Sequence, residues 1–284
     1  MKNYQVFLRR MAYPYIFWLS LFVLFPIVLV FWSSIHTNMG EKYTLENYVL
    51  FFTTSEYLKI FGRSFLLAIY TTVLCLILGY PAAYLLSIMK GRKRNIILLL
   101  TVIPMWANML LRIYAWIFII GNTGLINTLI KWLNGILPFT IPTLSLMNSP
   151  QAVLLGMVYS FLPFMILPIY SVLVKIDKDL LYAAYDLGAT KTKAFLKITL
   201  PLSVPGIISG ITMVFLPAAT SFIVPSYLGG TEFYIGSMIE RQFKVANNWN
   251  FGSAISIILI IVIFLFIGLT NRLSGDGEKG ESLW

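Results

Sequence analysis

The sequence predicts an all-α membrane protein with about six transmembrane helices. Of its 284 residues, 58% are hydrophobic and only 11% are charged. The mean hydropathy is +0.82, far above that of ordinary soluble domains. The charged residues are also unevenly placed, because long stretches of the chain contain no Asp, Glu, Lys or Arg at all. Several of these stretches reach the length of about 20 residues that crosses the hydrocarbon core.

The charge-free stretches place the spans in order along the chain, at roughly 13–35, 62–89, 95–121, 150–174, 202–228 and 249–270. The first span follows Lys2, Arg9 and Arg10 and is longer than the apolar region of a signal peptide, which has about 7–15 residues. We therefore expect it to be retained as a helix. A short interfacial helix is expected over 44–58.

The fifth span is rich in helix breakers, among them Pro205 and Pro217. Proline inside a membrane helix frees a carbonyl group that protein or water must satisfy, so we expect this span to face the bundle interior. Gly206 and Gly210 have the spacing of small residues that lets two membrane helices pack closely.

The basic residues predict the orientation. Fourteen of the 21 Lys and Arg fall on the side of the N-terminus, the 90–94 turn, the 175–197 loop and the C-terminal tail, and five fall on the other side. The positive-inside rule then predicts that both termini are cytoplasmic. We divide the chain into a first helix with its extracytoplasmic segment (1–60), a membrane core (61–271) and a short cytoplasmic tail (272–284).

Several classes of function are disfavoured by what the sequence lacks. One histidine (His36) and one cysteine (Cys75) leave no candidate metal site, and no cofactor is expected. The phosphate-binding motif GxxxxGK[ST] is absent, so ATP hydrolysis would need another chain. No acidic residue lies within a predicted span, which disfavours an intramembrane enzyme and a stand-alone ion-coupled carrier. The Lys and Arg residues that give the net charge of +10 cluster at the ends of the predicted spans, so nucleic acid is not an expected partner.

A polar segment at 175–201 interrupts the apolar chain with five Lys and three Asp. Apolar residues at a helical spacing predict one short helix, capped by Asp177 or Asp179 and ended by Gly188. A second helix is expected to begin at Thr190 and to end where Pro201 turns the chain into the next span. Two interpretations stay open on these grounds: an amphipathic loop resting on anionic lipid, or a docking site for a partner protein.

Six positions within this loop have a characteristic spacing, namely Ala183, Ala184, Gly188, Ile198, Leu200 and Pro201. The spacing resembles the EAA loop of ABC-importer permeases. In that family the loop forms coupling helices that dock on a cytoplasmic ATPase, so the resemblance implies the same role here. Tyr182 stands where the family usually has Glu, which places any salt bridge of that Glu in doubt. Tyr185 and Asp186 would then make part of the contact with the ATPase.

Two further stretches, 104–127 and 156–170, look like the third and fourth spans of spermidine/putrescine permeases, and the resemblance covers roughly 60–270. It is closest to the first of the two permease subunits of polyamine importers. The resemblance implies a type I ABC-importer permease of the prokaryotic cytoplasmic membrane. The implied partners are an ATPase dimer, a second permease subunit, an extracytoplasmic substrate-binding protein and membrane lipid. Related importers carry other small solutes, so another substrate is the alternative.

A polycation is bound by carboxylates, carbonyl groups or aromatic faces. The candidates for contacts along a substrate pathway are Tyr114, Trp116, Tyr159, Tyr234, Glu232 and Glu240. Arg112 is a lone charge within an apolar stretch, where it would repel a polycation. It is expected either to be a structural partner near the outer end of its span or to belong to a gate.

Overall fold

The computed structural model describes residues 13–37, 42–137, 139–230 and 233–274. Within these ranges the regular structure is helical, apart from an isolated bridge between His36 and Tyr43. Six helical segments are long and apolar enough to cross a membrane, at Tyr13–Ser34, Ser55–Ile88, Met109–Asn134 (interrupted at 121–124), Pro150–Leu173, Lys191–Thr220 and Trp249–Thr270. The predicted all-α fold class with six spans is confirmed.

Twelve helices can be numbered in chain order among the described residues. They are α1 (Tyr13–Ser34), α2 (Glu46–Thr53), α3 (Ser55–Ile88), α4 (Gly91–Trp106), α5 (Met109–Ile120), α6 (Leu125–Asn134), α7 (Pro150–Leu173), α8 (Lys178–Asp186), α9 (Lys191–Thr220), α10 (Ile223–Leu228), α11 (Ile235–Lys244) and α12 (Trp249–Ser274).

The chain forms two compact units, and the smaller one contains 1–59 and 238–263. Its described part is joined by side-chain amides: Asn250 Nδ2 donates to Ser33 O at 2.8 Å, and Asn47 Nδ2 donates to the carbonyl of His36 at 3.1 Å. The predicted interfacial helix at 44–58 is present but shorter, as α2. The next span begins at Ser55, earlier than expected, because a helix can extend beyond the apolar stretch into a polar turn.

The larger unit contains 60–237 and 264–284, and α7 lies at its centre. α7 packs along α9, and its apolar side chains Val153, Met157, Met165 and Ile169 are fully buried. A β-carbon added at Gly206 would lie 3.0 Å from the carbonyl oxygen of Pro168. The close packing predicted from the glycine spacing is therefore confirmed, and it brings α9 against the backbone of α7.

The prediction of one continuous third span at 95–121 is wrong. The backbone becomes extended at Ala107, and a new helix starts after Asn108, whose side chain accepts from Leu110 N at 2.8 Å. This amide caps α5 in the way that asparagine commonly starts a helix. The stretch is therefore divided between α4 and α5 by a capped break within an apolar sequence.

The boundary of the fifth span also differs from the prediction. Pro201 does not end the helix of the loop, because α9 is continuous from Lys191 to Thr220. Phe195–Thr199 adopts a π-helical turn directly before the proline, and Leu200 N bonds to Phe195 O in this wider turn. Proline has no N–H to donate and its ring crowds the preceding turn, so a local π-turn can accommodate it within a helix. The span itself ends at Ser221 rather than 228.

The segment between α6 and α7 is held by Asn127 of α6, which is buried. Its Nδ2 donates to the carbonyls of Gly121 (3.1 Å) and Leu144 (2.8 Å), and its Oδ1 accepts from Leu144 N at 2.8 Å. Asn134 makes a matching pair of hydrogen bonds with the backbone of Ile141. Two amides therefore take the place of backbone pairing in a segment without regular structure.

We expect Asn127→Ala to lower the stability of the purified protein by about 1–3 kcal/mol, because it removes a buried amide that makes three hydrogen bonds to the backbone of Gly121 and Leu144. The measurement is thermal unfolding in detergent, with exposed Asn122→Ala as the control. Equal melting temperatures for the two variants would contradict the role of Asn127.

Candidate functional site

The polar loop folds as the sequence predicts in its first half. The side chain of Asp177 caps α8 by accepting from Asp179 N at 3.0 Å, and Gly188 ends the helix with a φ of +77°. Gly188 N donates to Tyr185 O and Ala189 N donates to Ala184 O, each at 2.9 Å. This pair of bonds is the Schellman motif, which needs a left-handed residue and so favours glycine. Thr190 then caps α9 by accepting from Lys193 N.

The end of α8 presents apolar side chains to the surroundings. Leu187 is 89% exposed and Tyr182 is 60% exposed, whereas Ala184 faces inward and is buried. Exposed apolar side chains grouped on a surface helix, unlike a single one, form the kind of patch that marks contact with a protein or a membrane. The exposed face formed by Tyr182, Ala183, Tyr185, Asp186 and Leu187 is called the α8 tip below.

The π-turn anchors the loop to the spans. The ring of Phe195 contacts the ring of Tyr84 edge-on at 5.4 Å and that of Tyr80 at 6.0 Å. The hydroxyl of Tyr80 shares a hydrogen bond with Ser203 Oγ at 3.0 Å. Ile198 is half-buried within the same turn and Pro201 is exposed just after it. The predicted coupling residues therefore lie on two elements, the α8 tip and the π-turn, on either side of Gly188.

A cleft of about 380 Å³ lies beside α8, between the ends of α3 and α7. It is lined by Tyr84, Ser87, Ile88, Lys90, Leu173, Val174, Ile176, Lys178, Leu181, Tyr182, Tyr185 and Thr199. Its wall combines two lysines and several hydroxyl groups with an apolar side. We call it the α8 cleft.

Two adjoining grooves run along the first half of α7, of about 380 and 400 Å³. They share Gln151 and Leu154. The first is also lined by Arg63, Leu66, Leu67, Tyr70, Pro150 and Tyr234, and the second by Leu74, Trp116, Leu155, Val158 and Tyr159. We call them the α7 grooves. Among the described residues, neither has a carboxylate in its lining.

The structure brings together some of the predicted pathway residues. Trp116 and Tyr159 form an edge-on ring pair with centroids 5.4 Å apart, and both line one of the α7 grooves. Tyr234 is buried in the wall of the other groove. Tyr114 lies elsewhere, with its ring against Tyr227 at 5.8 Å.

None of the charged candidates is among the described lining residues of the grooves. Arg112 is in the first turn of α5, half-buried, and its Nε has no hydrogen-bond partner among the described residues. Glu240 accepts from Lys244 Nζ at 2.8 Å, one helical turn away, and belongs to the smaller unit. Glu232 lies outside the described residues.

Residues 75–274 match the sequence profile of the family described as "Binding-protein-dependent transport system inner membrane component". The match covers more than half of the chain. The chain belongs to this family of ABC-importer permeases. As a member, the permease is a multi-pass protein of the cytoplasmic membrane and not an enzyme, and its family works with a separate ATPase and a substrate-binding protein.

The permease is similar to proteins of the same length. It is 40% identical over 261 residues to the spermidine/putrescine transport system permease protein PotB of Haemophilus influenzae, covering 90% of each chain. It is 38% identical over 256 residues to PotB of Escherichia coli (strain K12), covering 88% of this chain and 91% of that one. A bacterial ABC transporter that imports the acidic polysaccharide alginate contains a chain of the same fold, with a TM-score of 0.81, 14% identity and 98% coverage of both chains.

Sequence reasoning missed several side chains of the permease that the structure places in the grooves and the cleft. Gln151 joins the two α7 grooves, Arg63 and Tyr70 line one of them, and Lys90 lines the α8 cleft. Gln151 follows Pro150 at the start of a charge-free span, a position where a polar side chain signals an exposed helix end. The others could not be found, because only the packing of α3 against α7 brings them to these walls.

Proposed function

We propose that this permease moves a polyamine of the spermidine and putrescine class into the cell. The observation that supports this substrate most strongly is the 40% identity to PotB over 90% of both chains. Nearly the full length of the two proteins is compared, so the spans, the loop and the grooves all fall within the similar region. A different small solute, carried by the same kind of importer, is the alternative that the experiment below distinguishes.

We propose further that two permease chains, this one and a second subunit, sit on a dimer of ATPases with both termini in the cytoplasm. An extracytoplasmic binding protein delivers the substrate. The α8 tip docks on the ATPase, because it combines exposed apolar side chains with a rigidly capped helix. Movement of the ATPase then displaces the loop, and the π-turn of Ile198 and the following Pro201 carry the displacement into α9.

The groove lined by Trp116 and Tyr159, unlike the one lined by Arg63, has the chemistry of a passage for an organic cation. The faces of Trp116 and Tyr159 attract ammonium groups, and Gln151 offers a neutral carbonyl oxygen. Cation–π contacts of about 0.5–2 kcal/mol are weak enough for the substrate to leave again. Tyr114, Tyr234 and Glu240 are proposed as further contacts, Glu232 as a carboxylate near the entrance, and Arg112 as a gate residue that repels the polycation.

The experiment that tests the substrate is ATP hydrolysis by the co-purified importer in liposomes. Spermidine or putrescine, presented with the binding protein, is expected to stimulate hydrolysis and to accumulate inside. Stimulation by a neutral sugar or an amino acid instead would refute the polyamine assignment and retain the importer. Uptake by the permease chain alone without ATP would refute both.

The role of the aromatic pair has its own test. We expect Trp116→Leu to lower polyamine uptake several-fold, because it removes an aromatic face from the groove while keeping an apolar side chain. Trp132→Leu is the matched control, since Trp132 lies on α6 with 62% of its surface exposed. An equal loss of uptake in both variants would show that the loss of either tryptophan lowers uptake and that the groove has no special role.

A further inference from the structure

The α8 cleft has the lining of an anion site. Lys90 and Lys178 contribute two ammonium groups, and five side chains contribute hydroxyls, namely Tyr84, Ser87, Tyr182, Tyr185 and Thr199. None of the described lining residues is a carboxylate. The Ser87 hydroxyl already donates to Tyr84 O at 2.7 Å, which leaves the lysines and tyrosines as the principal donors. A phosphate group, which has several acceptor oxygens and a negative charge, matches this set of donors.

The cleft is also lined by apolar side chains, and this distinguishes a lipid from a free phosphate. These side chains are Ile88, Leu173, Val174, Ile176 and Leu181. Ile88 is 56% exposed at the last residue of α3, and Val174 is 41% exposed just after α7. A soluble phosphate gains nothing from such side chains. A phospholipid presents a phosphate and acyl chains together, and the lining of the cleft offers partners for both.

The position of the cleft in the fold agrees with this ligand. α3 and α7 are both membrane spans, and the cleft is at their ends, where lysines can extend from apolar surroundings to the level of the lipid headgroups. Basic pockets between spans at the cytoplasmic surface are suited to anionic headgroups. The distribution of Lys and Arg along the sequence predicts that this end is cytoplasmic.

We propose that the α8 cleft binds an anionic phospholipid. Lys90 and Lys178 hold its phosphate, the hydroxyls of Tyr182 and Tyr185 donate to the remaining oxygens, and the acyl chains lie along Ile88 and Val174. The bound lipid contacts α8 through Tyr182 and Tyr185, so it lies beside the exposed tip that is proposed to meet the ATPase. The lipid site shares these two tyrosines with the α8 tip, and it does not depend on the substrate.

The test is native mass spectrometry of the full-length permease, purified with the subunits that accompany it. Phosphatidylglycerol or phosphatidylcholine is added at matched concentrations, and the retained lipids are counted. We expect the wild type to retain one phosphatidylglycerol that Lys90→Gln/Lys178→Gln binds on the order of tenfold more weakly. Lys191→Gln/Lys193→Gln is the matched control, because it removes the same charge from exposed positions of the same loop outside the cleft.

Three results would overturn the proposal. They are equal retention of phosphatidylglycerol by both double variants, equal retention of both lipids by the wild type, and displacement of the lipid by millimolar inorganic phosphate, which would indicate a site for a soluble anion. Tyr182→Glu is a second variant, at a residue that the cleft shares with the α8 tip. A carboxylate there repels the phosphate, so it is expected to weaken phosphatidylglycerol retention without changing phosphatidylcholine retention. Coupling to the ATPase is read separately, from co-purification.

Discussion

We expect Leu187→Glu to abolish ATP-driven uptake while the permease still folds and reaches the membrane. Leu187 is 89% exposed at the α8 tip, so the substitution costs little in the free chain. If the tip inserts into the ATPase, the change places a charge in an apolar contact. Loss of one such central contact costs about 2 kcal/mol or more, or about 30-fold in affinity. The measurement is co-purification of the ATPase, followed by uptake.

Leu187→Met is the matched control, because it keeps an apolar side chain of similar volume at the same position. It is expected to retain both the ATPase and uptake. If Leu187→Glu retains the ATPase as well as the wild type does, the α8 tip is not the docking surface. A loss of protein from the membrane in Leu187→Glu but not in Leu187→Met would instead assign Leu187 a role in folding.

The second large effect is expected from Gly206→Val. A β-carbon at this position would lie 3.0 Å from Pro168 O and 3.1 Å from Ile169 Cα, both of which belong to the backbone of α7. A backbone cannot turn aside as a flexible side chain can, so α9 must move away from α7. Overpacking of this kind costs about 1–3 kcal/mol, and this pair of helices forms the centre of the larger unit. The readout is the melting temperature in detergent.

Gly62→Val is the control for this substitution. Gly62 is also within a membrane-spanning helix, α3, but a β-carbon there would have no neighbour within 4 Å. It is expected to melt at or slightly above the wild-type temperature, because valine restricts the unfolded chain more than glycine does. Equal destabilisation by the two variants would show that the close contact at Gly206 does not limit the stability of the fold.

Much of the fold could be predicted because membrane spans have a distinctive composition, apolar and free of charged residues. The lack of charged residues located four of the spans to within a few residues at most ends, whereas the third and fifth spans were misplaced. The caps of the loop were also readable, since Asp177, Gly188 and Thr190 act on their nearest neighbours in the chain. The sequence predicts such caps correctly because each cap depends only on a few adjacent residues.

The errors arose where a local signal had two meanings. Pro201 can end a helix or follow a π-turn within one, and only the packing of Phe195 against Tyr84 decides between them. Asn108 can lie inside a helix or cap the next one, and the apolar residues around it concealed the break. The α7 grooves were out of reach for another reason. Their walls join residues far apart in sequence, such as Tyr70 and Gln151, and a single sequence does not record such pairings.

The continuity of α9 has a mechanical consequence. Its 30 residues form one rod, about 45 Å long at 1.5 Å per residue. One end carries the lysines of the loop and the other end stops at Thr220, beside the extended backbone of Ser221. No loop separates Thr190 from the membrane-spanning part of α9, so a displacement at Thr190 is carried along the helix, through the π-turn and past Pro205 and Pro217, toward the far side of the bilayer. The chain leaves helical geometry at Gly188, before this helix, and at Ser221, after it.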